Sequence, residues 1–599
     1  MAIVSTITIP AIVETTATLV GLAFFIAIRA KTTLIPNPQA AEIAKINPND
    51  QQLQIQRKLS VSLSSQYNNF LIECLQEQYG GSSMQYDTII IGAGSAGAIL
   101  ATRLTEDPDH SVLLLEAGKD YPDFDVQPEE VKFPLSSSFE SLLASEHNWK
   151  FRARGTDEAQ IDVPRGKITG GSSSINGTVF LRGLPQDFDS WVELGNDEWD
   201  FQKLLPYMNK LETDLTYKDN PGDFHGADGP ILCRRFAKDE MVEGSKAMIQ
   251  ACLDAGHPYC EDANSPDTTG IGPMPMNNPD GVRWSTAYGY LSMSRNRMNL
   301  TIRDGISAKK IIFDTSEDTP VAVGVEVESD GETFVVEGKE IILSTGAIGS
   351  PQLLMLSGVG PREHLKEFGI DCILDSPGVG QNLSDHPLTP IKWITKLEFE
   401  TDPNFPWGQV MLRYTADGSE LENDMIVYMY SKITTVTGEP NGIGMGLGLN
   451  LALSKGEVKL NSTDHTEQPY LDFNMLDEEE DMRRCRDGIR MLVDLENNPS
   501  MKKIIDRRIE PSDSDLASDE ALDLWIRKNV GTGHHVSCTA KMGPKSDPMA
   551  VVDQYGKVHG ISQLRVVDAS IMPECVRANI NVTTMTISER ISDFIKTGI

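Results

Sequence analysis

The stretch "YDTIIIGAGSAGAILATRLTEDPDHSVLLLEAG", Tyr86–Gly118, decides the fold. It begins with an apolar strand, Thr88–Ile91, passes through a glycine-rich turn into a helical pattern that ends near Asp107, and closes with a second apolar strand that reaches Glu116. Strand, glycine turn, helix and strand in this order are typical of a βαβ unit that binds a dinucleotide. The sequence therefore predicts an α/β fold with a Rossmann-like domain.

The glycine spacing of this unit has a physical reason at each position. Gly92 permits the tight turn, Gly94 lets the backbone approach a pyrophosphate, and Gly97 allows the helix to pack closely against the strand. The helix N-terminus faces the phosphates, and Glu116 can hold a ribose hydroxyl. NAD and FAD sites share this unit, so the unit alone leaves the dinucleotide open. The predicted contacts are Gly92, Gly94, Ser95, Ala96, Gly97 and Glu116.

Length and charge narrow the class of protein. A single core rarely grows beyond about 250–300 residues, so a chain of 599 residues is expected to contain at least two cooperating lobes. The formal net charge is −34, whereas surfaces that bind nucleic acid need clustered lysine and arginine. Nucleic acid is therefore excluded as a partner of the main body.

The eight cysteines are scattered, without a CxxC pair or a Cys/His spacing typical of zinc ligands. The pattern predicts neither a disulfide framework nor a metal site, and most of these thiols are expected to be buried and reduced.

The N-terminus differs in composition from the rest of the chain. Residues 1–28 carry one charged residue, Glu14, and are followed by Arg29 and Lys31. A run of this kind can span a hydrocarbon layer with about twenty residues, so residues 1–31 are predicted as a membrane anchor with the catalytic body on the cytoplasmic side. The alternative is an amphipathic or packed leader helix on a cytoplasmic protein. Residues 32–84 are polar and glutamine-rich, and are predicted to be a linker.

Four further blocks carry a resemblance to a known family. They are "PRGKITGGSSSINGTVFLRG" (Pro164–Gly183), "STGAIGSPQLLMLSGVG" (Ser344–Gly360), "PGVGQNLSDH" (Pro377–His386) and "LRVVDASIMP" (Leu564–Pro573). Their order and spacing resemble the glucose-methanol-choline (GMC) oxidoreductases over nearly everything from Tyr86 to Ile595. The resemblance implies bound FAD and oxidation of an alcohol.

The resemblance also assigns residues to the flavin. In members with a covalently attached flavin, a histidine stands where this chain has Ile175, so noncovalent FAD is expected. The small residues of "GGSSSIN" let the backbone lie close to a flat ring, and Asn176 supplies an amide beside it. The positions assigned to FAD beyond the βαβ unit are Gly170, Ser172, Asn176, Gly177, Thr178, Val179, Ala308, Gly346, Asp568, Ala569 and Asn579.

The expected organisation interleaves two lobes. FAD-binding sequence is predicted in three pieces, 84–235, 296–390 and 540–599. The intervening pieces, 236–295 and 391–539, are predicted to form an α+β substrate domain. In the second of these, "MIVYMYS", "GIGMGLGLNLAL" and "GEVKLNS" have the short alternation of an antiparallel sheet that covers a pocket.

Two residues near the end of the chain are candidates for the chemistry. Alcohol oxidation needs a base for the hydroxyl proton, and the resemblance, counted back from "KMG", places the catalytic histidine at His535 and a pocket-wall residue at His534. Counted back from "SER", the family's partner position falls on Asn581, whose amide can stabilise the alcohol or alkoxide oxygen. Asn579 and Thr583 are expected to line the flavin.

The sequence thus predicts an FAD-dependent oxidoreductase that takes an alcohol to an aldehyde or ketone. The acceptor that reoxidises the flavin is open between oxygen and a quinone. Two alternatives remain: a hydroxynitrile lyase on the same scaffold, and a non-catalytic membrane flavoprotein.

Overall fold

The computed structural model describes residues 85–134, 139–396, 407–433 and 442–599. The predicted anchor, residues 1–31, and the predicted linker, residues 32–84, lie outside these ranges and stay predictions. Within the described ranges, no helix combines the length and the apolar composition that crossing a bilayer requires.

Strands and α-helices both occur along the whole described chain. The strands are β1 Tyr86–Ile91, β2 Val112–Leu115, β3 Phe151–Arg154, β4 Gln160–Val163, β5 Glu212–Asp214, β6 Ile231–Cys233, β7 Gly270–Pro273, β8 Leu300–Arg303, β9 Ser307–Asp314, β10 Val321–Ser329, β11 Glu332–Leu343, β12 Val359–Gly360, β13 Leu374–Asp375, β14 Pro387–Thr395, β15 Val410–Tyr414, β16 Met425–Tyr430, β17 Gly442–Leu449, β18 Glu457–Lys459, β19 Tyr470–Asp472, β20 Ile505–Glu510, β21 Gly531–Thr532 and β22 Leu564–Val566. The α-helices are α1 Gly97–Leu104, α2 Glu129–Lys132, α3 Phe139–Ala144, α4 Pro185–Glu193, α5 Phe201–Leu211, α6 Glu243–Asp254, α7 Ser292–Ser294, α8 Gly346–Leu356, α9 Arg362–Glu367, α10 Glu479–Leu495, α11 Pro499–Lys502, α12 Asp519–Asn529 and α13 Ile580–Lys596.

The predicted Rossmann-like domain is confirmed, with a sheet in the order β8-β2-β1-β11-β10-β9 and with β22 also paired to β11. Strands β8, β2, β1 and the end of β11 run parallel, as does β22. In the centre, Ile91 aligns with Leu115 on one side and with Leu343 on the other. These strands are apolar at nearly every position because a parallel sheet is covered on both faces.

A second sheet, in the order β20-β14-β17-β16-β15-β7 with β21 paired to β14, is antiparallel throughout and confirms the predicted substrate-domain sheet. Of the three segments predicted for it, two form β16 and β17. The third, "GEVKLNS", forms β18, which belongs instead to a separate sheet β18-β19-β3-β4. An alternating pattern identifies a strand but does not identify its partner. The domain boundaries assigned from the sequence stay predictions.

Strand β17 has glycine at every second position. Some of these glycines lie opposite aromatic residues of the neighbouring strand β16. Gly444 aligns with Tyr430, and Gly446 aligns with Tyr428. A Cβ atom built on Gly446 would lie 2.3 Å from the hydroxyl oxygen of Tyr430. The missing side chains therefore leave room for the ring of Tyr430 to lie across β17.

The sequence predicts a C-terminal helix from about Thr586 with Ile587, Ile591 and Ile595 inward. The helix, α13, begins six residues earlier, at Ile580. Ile587 and Ile591 are fully buried, and Ile595 is partly buried. Glu589, fully buried on this helix, receives hydrogen bonds from Arg103 on α1 at 2.8–2.9 Å and from the Tyr290 hydroxyl at 2.7 Å. This ion pair fixes the C-terminal helix against the first helix of the dinucleotide unit.

Candidate active site

The glycine turn after β1 has the geometry that its sequence predicts. Gly92 has φ +94°, and a Cβ atom there would lie 2.5 Å from the carbonyl oxygen of Ser344. A Cβ on Gly97 would lie 2.0 Å from the carbonyl oxygen of Gly92, so the helix can start this close only without a side chain. The nearest atom to a Cβ on Gly94 is the Cα of Gly171, at 3.8 Å. The turn is therefore tight at its two ends and open at its middle.

Glu116 lies at the end of β2 beside this turn. One carboxylate oxygen accepts the backbone N–H of Ala93 at 3.0 Å, and the other accepts that of Gly118 at 2.8 Å. Burial raises the pKa of Glu116 to about 7, although these two donors favour the ionised form. Each oxygen keeps a lone pair, so the carboxylate remains able to accept a ribose hydroxyl.

One continuous cavity of about 1510 Å³ runs from the glycine turn to the two histidines. It is lined by most residues that the sequence assigned to the cofactor or the chemistry: Gly92, Gly94, Ser95, Ala96, Glu116, Ser172, Asn176, Gly177, Thr178, Val179, Ala308, Gly346, Asp568, Ala569, Asn579, Asn581 and His535.

Two assigned glycines lie behind the wall instead of lining it. Gly97 packs inside the turn, and Gly170, with φ +89°, shapes the loop of small residues so that Gly171 faces the cavity. On α13, Thr584 lines the cavity, whereas Thr583, expected at the flavin, does not.

The residues of the cavity fit an FAD molecule. Gly346 begins helix α8 with φ +80°, and a Cβ there would meet no atom within 4 Å, while its backbone N–H donates to the carboxylate of Asp568 at 2.9 Å. The Thr178 hydroxyl is buried and has no hydrogen-bond partner among the described residues. A polar ring edge bound beside it would satisfy this hydroxyl.

Arg283 braces the loop that precedes Thr178. Its guanidinium donates to the carbonyl oxygens of Asn176 and Ser174, both at 3.0 Å, and to that of Glu130 at 2.7 Å. Burial lowers the pKa of Arg283 to about 9. The small-residue run is therefore held by a buried cation that also lines the cavity.

The two histidine-bearing segments run side by side. The start of β14 and the end of β21 form an antiparallel pair, with Pro387 aligned with Thr532. The carboxylate of Asp385 accepts the backbone N–H groups of His386 and His535, each at 2.8 Å, and also the hydroxyl of Thr532. Burial raises the pKa of Asp385 to about 6. One carboxylate thus joins both segments and fixes the distance between their imidazoles.

His535 is held at both ring nitrogens. Its Nδ1 lies 2.9 Å from Nδ1 of His386, and its Nε2 lies 2.9 Å from Nδ2 of Asn579. The carbonyl oxygen of the Asn579 amide accepts the Tyr428 hydroxyl at 3.0 Å. A residue of the substrate sheet, the residue before helix α13 and the imidazole therefore form one hydrogen-bonded group on the cavity wall.

The pairing of Asn581 with His535, expected from the sequence, is not what the structure shows. Asn581 accepts a hydrogen bond from the Ser95 hydroxyl at 2.9 Å, in the dinucleotide turn, and Asn579 takes the place beside the histidine. Helix α13 starts at Ile580, so Asn579 is the residue that precedes it. Successive helical residues are rotated by about 100°, so side chains two positions apart point in nearly opposite directions. The amide that contacts His535 therefore lies two residues before the position counted from "SER", and the catalytic role of either asparagine stays a prediction.

The three histidines of the cluster are neutral at physiological pH. Burial lowers the pKa of His386 to about 4 and that of His534 to about 3. Burial, together with the neighbouring His386, lowers the pKa of His535 well below its ordinary value. A neutral imidazole has a free lone pair, so His535 is in the form that can accept a proton.

His534 lines the cavity beside His535, as predicted for a wall residue. It adopts φ +67°, and its backbone N–H is held at 2.8 Å by the hydroxyl of Thr532. The left-handed turn at His534 sends the next residue, His535, towards Asn579.

Aromatic side chains of the substrate sheet form another part of the wall. The ring centroid of Trp407 lies 5.6 Å from that of Tyr430 and 6.3 Å from that of Tyr428. The indole N–H of Trp407 donates to the carbonyl oxygen of Gly177 at 2.8 Å. The aromatic group is therefore fixed to the loop of small residues that the sequence assigned to the flavin.

Sequence reasoning missed four residues of this site. Asp385 and His386 stand in the quoted block "PGVGQNLSDH" without an assigned role, Tyr428 was read only as part of a strand, and Asn579 was assigned to the flavin. The available signal was the polar run "SDH" immediately before an apolar strand, because polar residues at a strand end are placed to meet neighbouring segments.

A group with metal-binding atoms also exists away from the cavity. Atoms of Glu212, Asp214 and His225 lie within 4.8 Å of one another. Arg182 contacts Glu212, and Arg235 contacts Asp214, both at 2.6 Å. Although burial favours the neutral ring, hydrogen bonding, first with Asp214, raises the pKa of His225 to about 10. The ring is protonated and offers no lone pair, so this group is a network of ion pairs.

Comparison with known proteins agrees with this geometry. Two family models described as GMC oxidoreductase match residues 86–388 and 452–588. An oxygen-dependent choline dehydrogenase from Escherichia coli O157:H7 (strain EC4115 / EHEC) is 38% identical over 551 residues, which cover 86% of this chain and 95% of the relative.

Solved structures show the same fold. Pyridoxine 4-oxidase from Mesorbium loti superposes with a TM-score of 0.78 at 28% identity, covering 86% of this chain and 99% of its own. A formate oxidase from Aspergillus oryzae RIB40, in a study of its FAD, has a TM-score of 0.78 at 26% identity, covering 87% and 99%. The predicted cofactor, FAD, and the predicted class, an oxidoreductase acting on CH–OH groups, are confirmed at this level. The chain belongs to the GMC oxidoreductase family.

Proposed function

We propose that the protein oxidises an alcohol with noncovalently bound FAD, using His535 as the base and Asn579 as the group that orients the alcohol oxygen. The observation that carries the proposal is the 2.9 Å contact between Nε2 of His535 and the amide of Asn579 on the wall of the cofactor-sized cavity.

Different residues of the cavity contact different parts of the cofactor. The N-terminus of α1 takes the phosphates, Glu116 takes a ribose hydroxyl, and the run from Ser172 to Val179 lies along the flavin. Ile175, a cavity residue without a nucleophilic group, offers no side-chain atom for a covalent link. The flavin, when bound, supplies the hydride acceptor that makes removal of the second hydrogen possible.

The protein's own part in the chemistry is to move a proton and to stabilise charge. Neutral His535 accepts the hydroxyl proton at Nε2. The Tyr428 hydroxyl fixes the amide of Asn579 with its oxygen towards the tyrosine and its NH₂ group towards Nε2 of His535. The alcohol oxygen enters between these two groups, where it takes the amide N–H in place of the imidazole and gives its proton to Nε2. That N–H stabilises negative charge as it develops on the oxygen, without competing for the proton.

The substrate is an alcohol whose remaining part packs against aromatic rings. Trp407, Tyr428 and Tyr430 present such a wall, and aromatic faces bind a quaternary ammonium group through cation–π contacts. Choline, named for the relative from Escherichia coli O157:H7, is therefore the first candidate. The electron acceptor is oxygen or a quinone, and a membrane anchor formed by residues 1–31 suits a quinone.

An anaerobic reduction experiment tests the proposal. Purified holoenzyme is mixed with choline, with benzyl alcohol and with a short aliphatic alcohol, and the loss of flavin absorbance is followed. We expect at least one alcohol to bleach the wild-type flavin and the His535→Ala variant to remain oxidised on the same timescale. Release of cyanide from a cyanohydrin without bleaching, or bleaching that is equal in both proteins, contradicts the proposal.

A further inference from the structure

His535, His386 and Cys575 form a buried row that leads away from the cavity. Nδ1 of His535 lies 2.9 Å from Nδ1 of His386, and Nε2 of His386 lies 3.2 Å from Sγ of Cys575. All three side chains are buried. Each contact lies within hydrogen-bond distance, so each needs one proton between its two atoms.

The cavity end of the row fixes the direction of these hydrogen bonds. The Tyr428 hydroxyl donates to Oδ1 of Asn579, so the atom of Asn579 that faces His535 is the amide nitrogen. An amide nitrogen donates only, and Nε2 of His535 must therefore accept. A neutral imidazole that accepts at Nε2 carries its proton at Nδ1.

The same reasoning extends to the far end of the row. One proton occupies the contact between the two Nδ1 atoms, and it belongs to His535, so Nδ1 of His386 accepts. His386 is then protonated at Nε2 and donates to Sγ of Cys575. Burial raises the pKa of the Cys575 thiol well above its ordinary value, so the acceptor at the end of the row is a neutral sulfur.

We propose that Cys575, acting through His386, is a positioning residue that holds His535 in the tautomer whose Nε2 lone pair faces the cavity. The proposal rests on the proposed function, because it matters for catalysis only if His535 is the base. The sulfur accepts the proton of His386 Nε2, which keeps Nδ1 of His386 free to accept and thereby places the proton of His535 on its inner nitrogen.

Removing the acceptor should disturb the tautomer without removing the base. With alanine at position 575, a His386 proton at Nε2 loses the sulfur and keeps only the backbone neighbours Val576 and Asn450, so its transfer to Nδ1 becomes less unfavourable. His535 must then carry its proton at Nε2, where it blocks the lone pair that the alcohol needs. A net hydrogen-bond contribution of about 1 kcal/mol corresponds to about fivefold in the ratio of the two tautomers, which limits the loss of the active one to about fivefold. We therefore expect flavin reduction by saturating alcohol to slow about two- to fivefold in Cys575→Ala, with the KM for the alcohol within about twofold.

The variants separate hydrogen bonding from packing. Cys575→Ser keeps an acceptor and should return the rate to within twofold of the wild type. Cys575→Val fills the volume without an acceptor and should be as slow as Cys575→Ala. Cys485→Ala, which truncates a buried thiol on helix α10, is the control for a cavity of the same size and should react like the wild type.

A spectroscopic readout reports the tautomer directly. The chain has ten histidines, so protein labelled with ¹⁵N-histidine gives a tractable set of ring-nitrogen signals. The His535 signals, identified by their loss in His535→Ala, should show a protonated Nδ1 in the wild type and in Cys575→Ser. They should show a larger share of protonated Nε2 in Cys575→Ala and Cys575→Val.

The outcomes distinguish this proposal from the one it rests on. A wild-type rate and an unchanged tautomer in Cys575→Ala and Cys575→Val overturn the role of Cys575, and so does a slow Cys575→Ser whose loss is matched by Cys485→Ala. If His535→Ala itself reduces its flavin as fast as the wild type, the proposed function fails instead, whatever the tautomer signals show.

Discussion

Ser95 donates its hydroxyl to Asn581 at 2.9 Å, which ties the dinucleotide turn to the C-terminal helix and leaves Asn579 as the amide beside His535. The two asparagines thus have separate tasks, since Asn581 supports the cofactor turn and Asn579 faces the site of chemistry.

Replacement of each asparagine by alanine should separate these tasks. Asn579→Ala should slow flavin reduction by about 10²-fold, the cost of losing one charge-stabilising donor, with FAD still bound. Asn581→Ala should leave reduction within about threefold of the wild type, since a neutral hydrogen bond contributes about 1 kcal/mol at most to the turn. Stopped-flow reduction and the bound-flavin content measure both. If Asn581→Ala reduced its flavin more slowly than Asn579→Ala, the result would support the assignment made from the sequence, in which Asn581 stabilises the alcohol oxygen.

Replacement of His534 and of His535 should affect the rate of flavin reduction to different extents. His535→Ala should retain FAD and lose about 10²–10⁴-fold in the rate of flavin reduction, the usual contribution of a positioned base. His534→Phe keeps a ring on the cavity wall and should cost far less. The measurement is single-turnover reduction with one alcohol, and an inactive His534→Phe beside a nearly active His535→Ala would move the base to His534.

Flavin reduction should persist to lower pH than an ordinary histidine base allows. Burial lowers the pKa of His535 well below 6.5, so the imidazole of the free enzyme stays neutral as the pH falls through that value. The acid limb of kcat/KM should therefore have its midpoint below pH 6.5, and it should be absent in the residual activity of His535→Ala. A midpoint at or above 6.5 in the wild type would show that the histidine is not desolvated in the working enzyme.

Acid should also destabilise the fold through the buried histidines. The pKa of His534 is about 3 in the folded protein and 6.5 ordinarily, so the unfolded chain binds a proton below pH 6.5 that the folded chain does not bind until about pH 3. Stability from this group is present above pH 6.5 and declines as the pH falls, by about 2 kcal/mol at pH 5. His534→Phe should gain this amount relative to the wild type between pH 7 and pH 5, measured from denaturant midpoints. An equal pH dependence in both proteins would refute the shift.

The buried ion pair between the first and last helices should be a main determinant of stability. Glu589→Gln leaves Arg103 without its buried carboxylate and should lower the free energy of unfolding by about 3 kcal/mol. Glu106→Gln, which removes a partly exposed partner of the same arginine at 2.7 Å, is the matched control and should cost under about 1 kcal/mol. Thermal midpoints of the two variants compare them, and equal losses would mean that burial does not strengthen this pair.

Denaturation should release FAD from the protein as an unmodified molecule. Ile175 stands where a covalent link would need a histidine, so acid precipitation should release yellow FAD into the supernatant. The absorbance spectra of supernatant and pellet report this, and colour that stays with the precipitate would contradict noncovalent binding.

The fold followed from the sequence because its signals are local. In Tyr86–Gly118, apolar runs, glycine spacing and a helical period all specify the same βαβ unit, and the parallel strands occur where these runs lie. The antiparallel sheet could also be predicted, from the alternating patterns of β16 and β17. The partner of β18 could not be predicted, because strand pairing depends on residues far apart in the chain.

The site could be predicted only in part, for the same reason. The cavity residues that the blocks contribute could be named individually, whereas the contact between His386 and His535 joins positions 149 apart. The choice between Asn579 and Asn581 depends on where helix α13 starts. Its threonine-rich first turns obscure that start, and an error of two residues turns the side chain to the opposite side of the helix.

The glycines of β17 have a consequence for how relatives of this fold diverge. Single-nucleotide changes turn glycine codons into codons for alanine, serine, valine or an acidic residue. An added side chain at Gly446 meets first the hydroxyl end of Tyr430, a flexible group, and so displaces an aromatic ring of the wall without touching His535 or Asn579. Position 446 is therefore a place where one mutation reshapes the substrate chamber while the proton-transfer group stays intact. Evolution, or a small saturation library over β17, can change substrate preference in steps that preserve the chemistry.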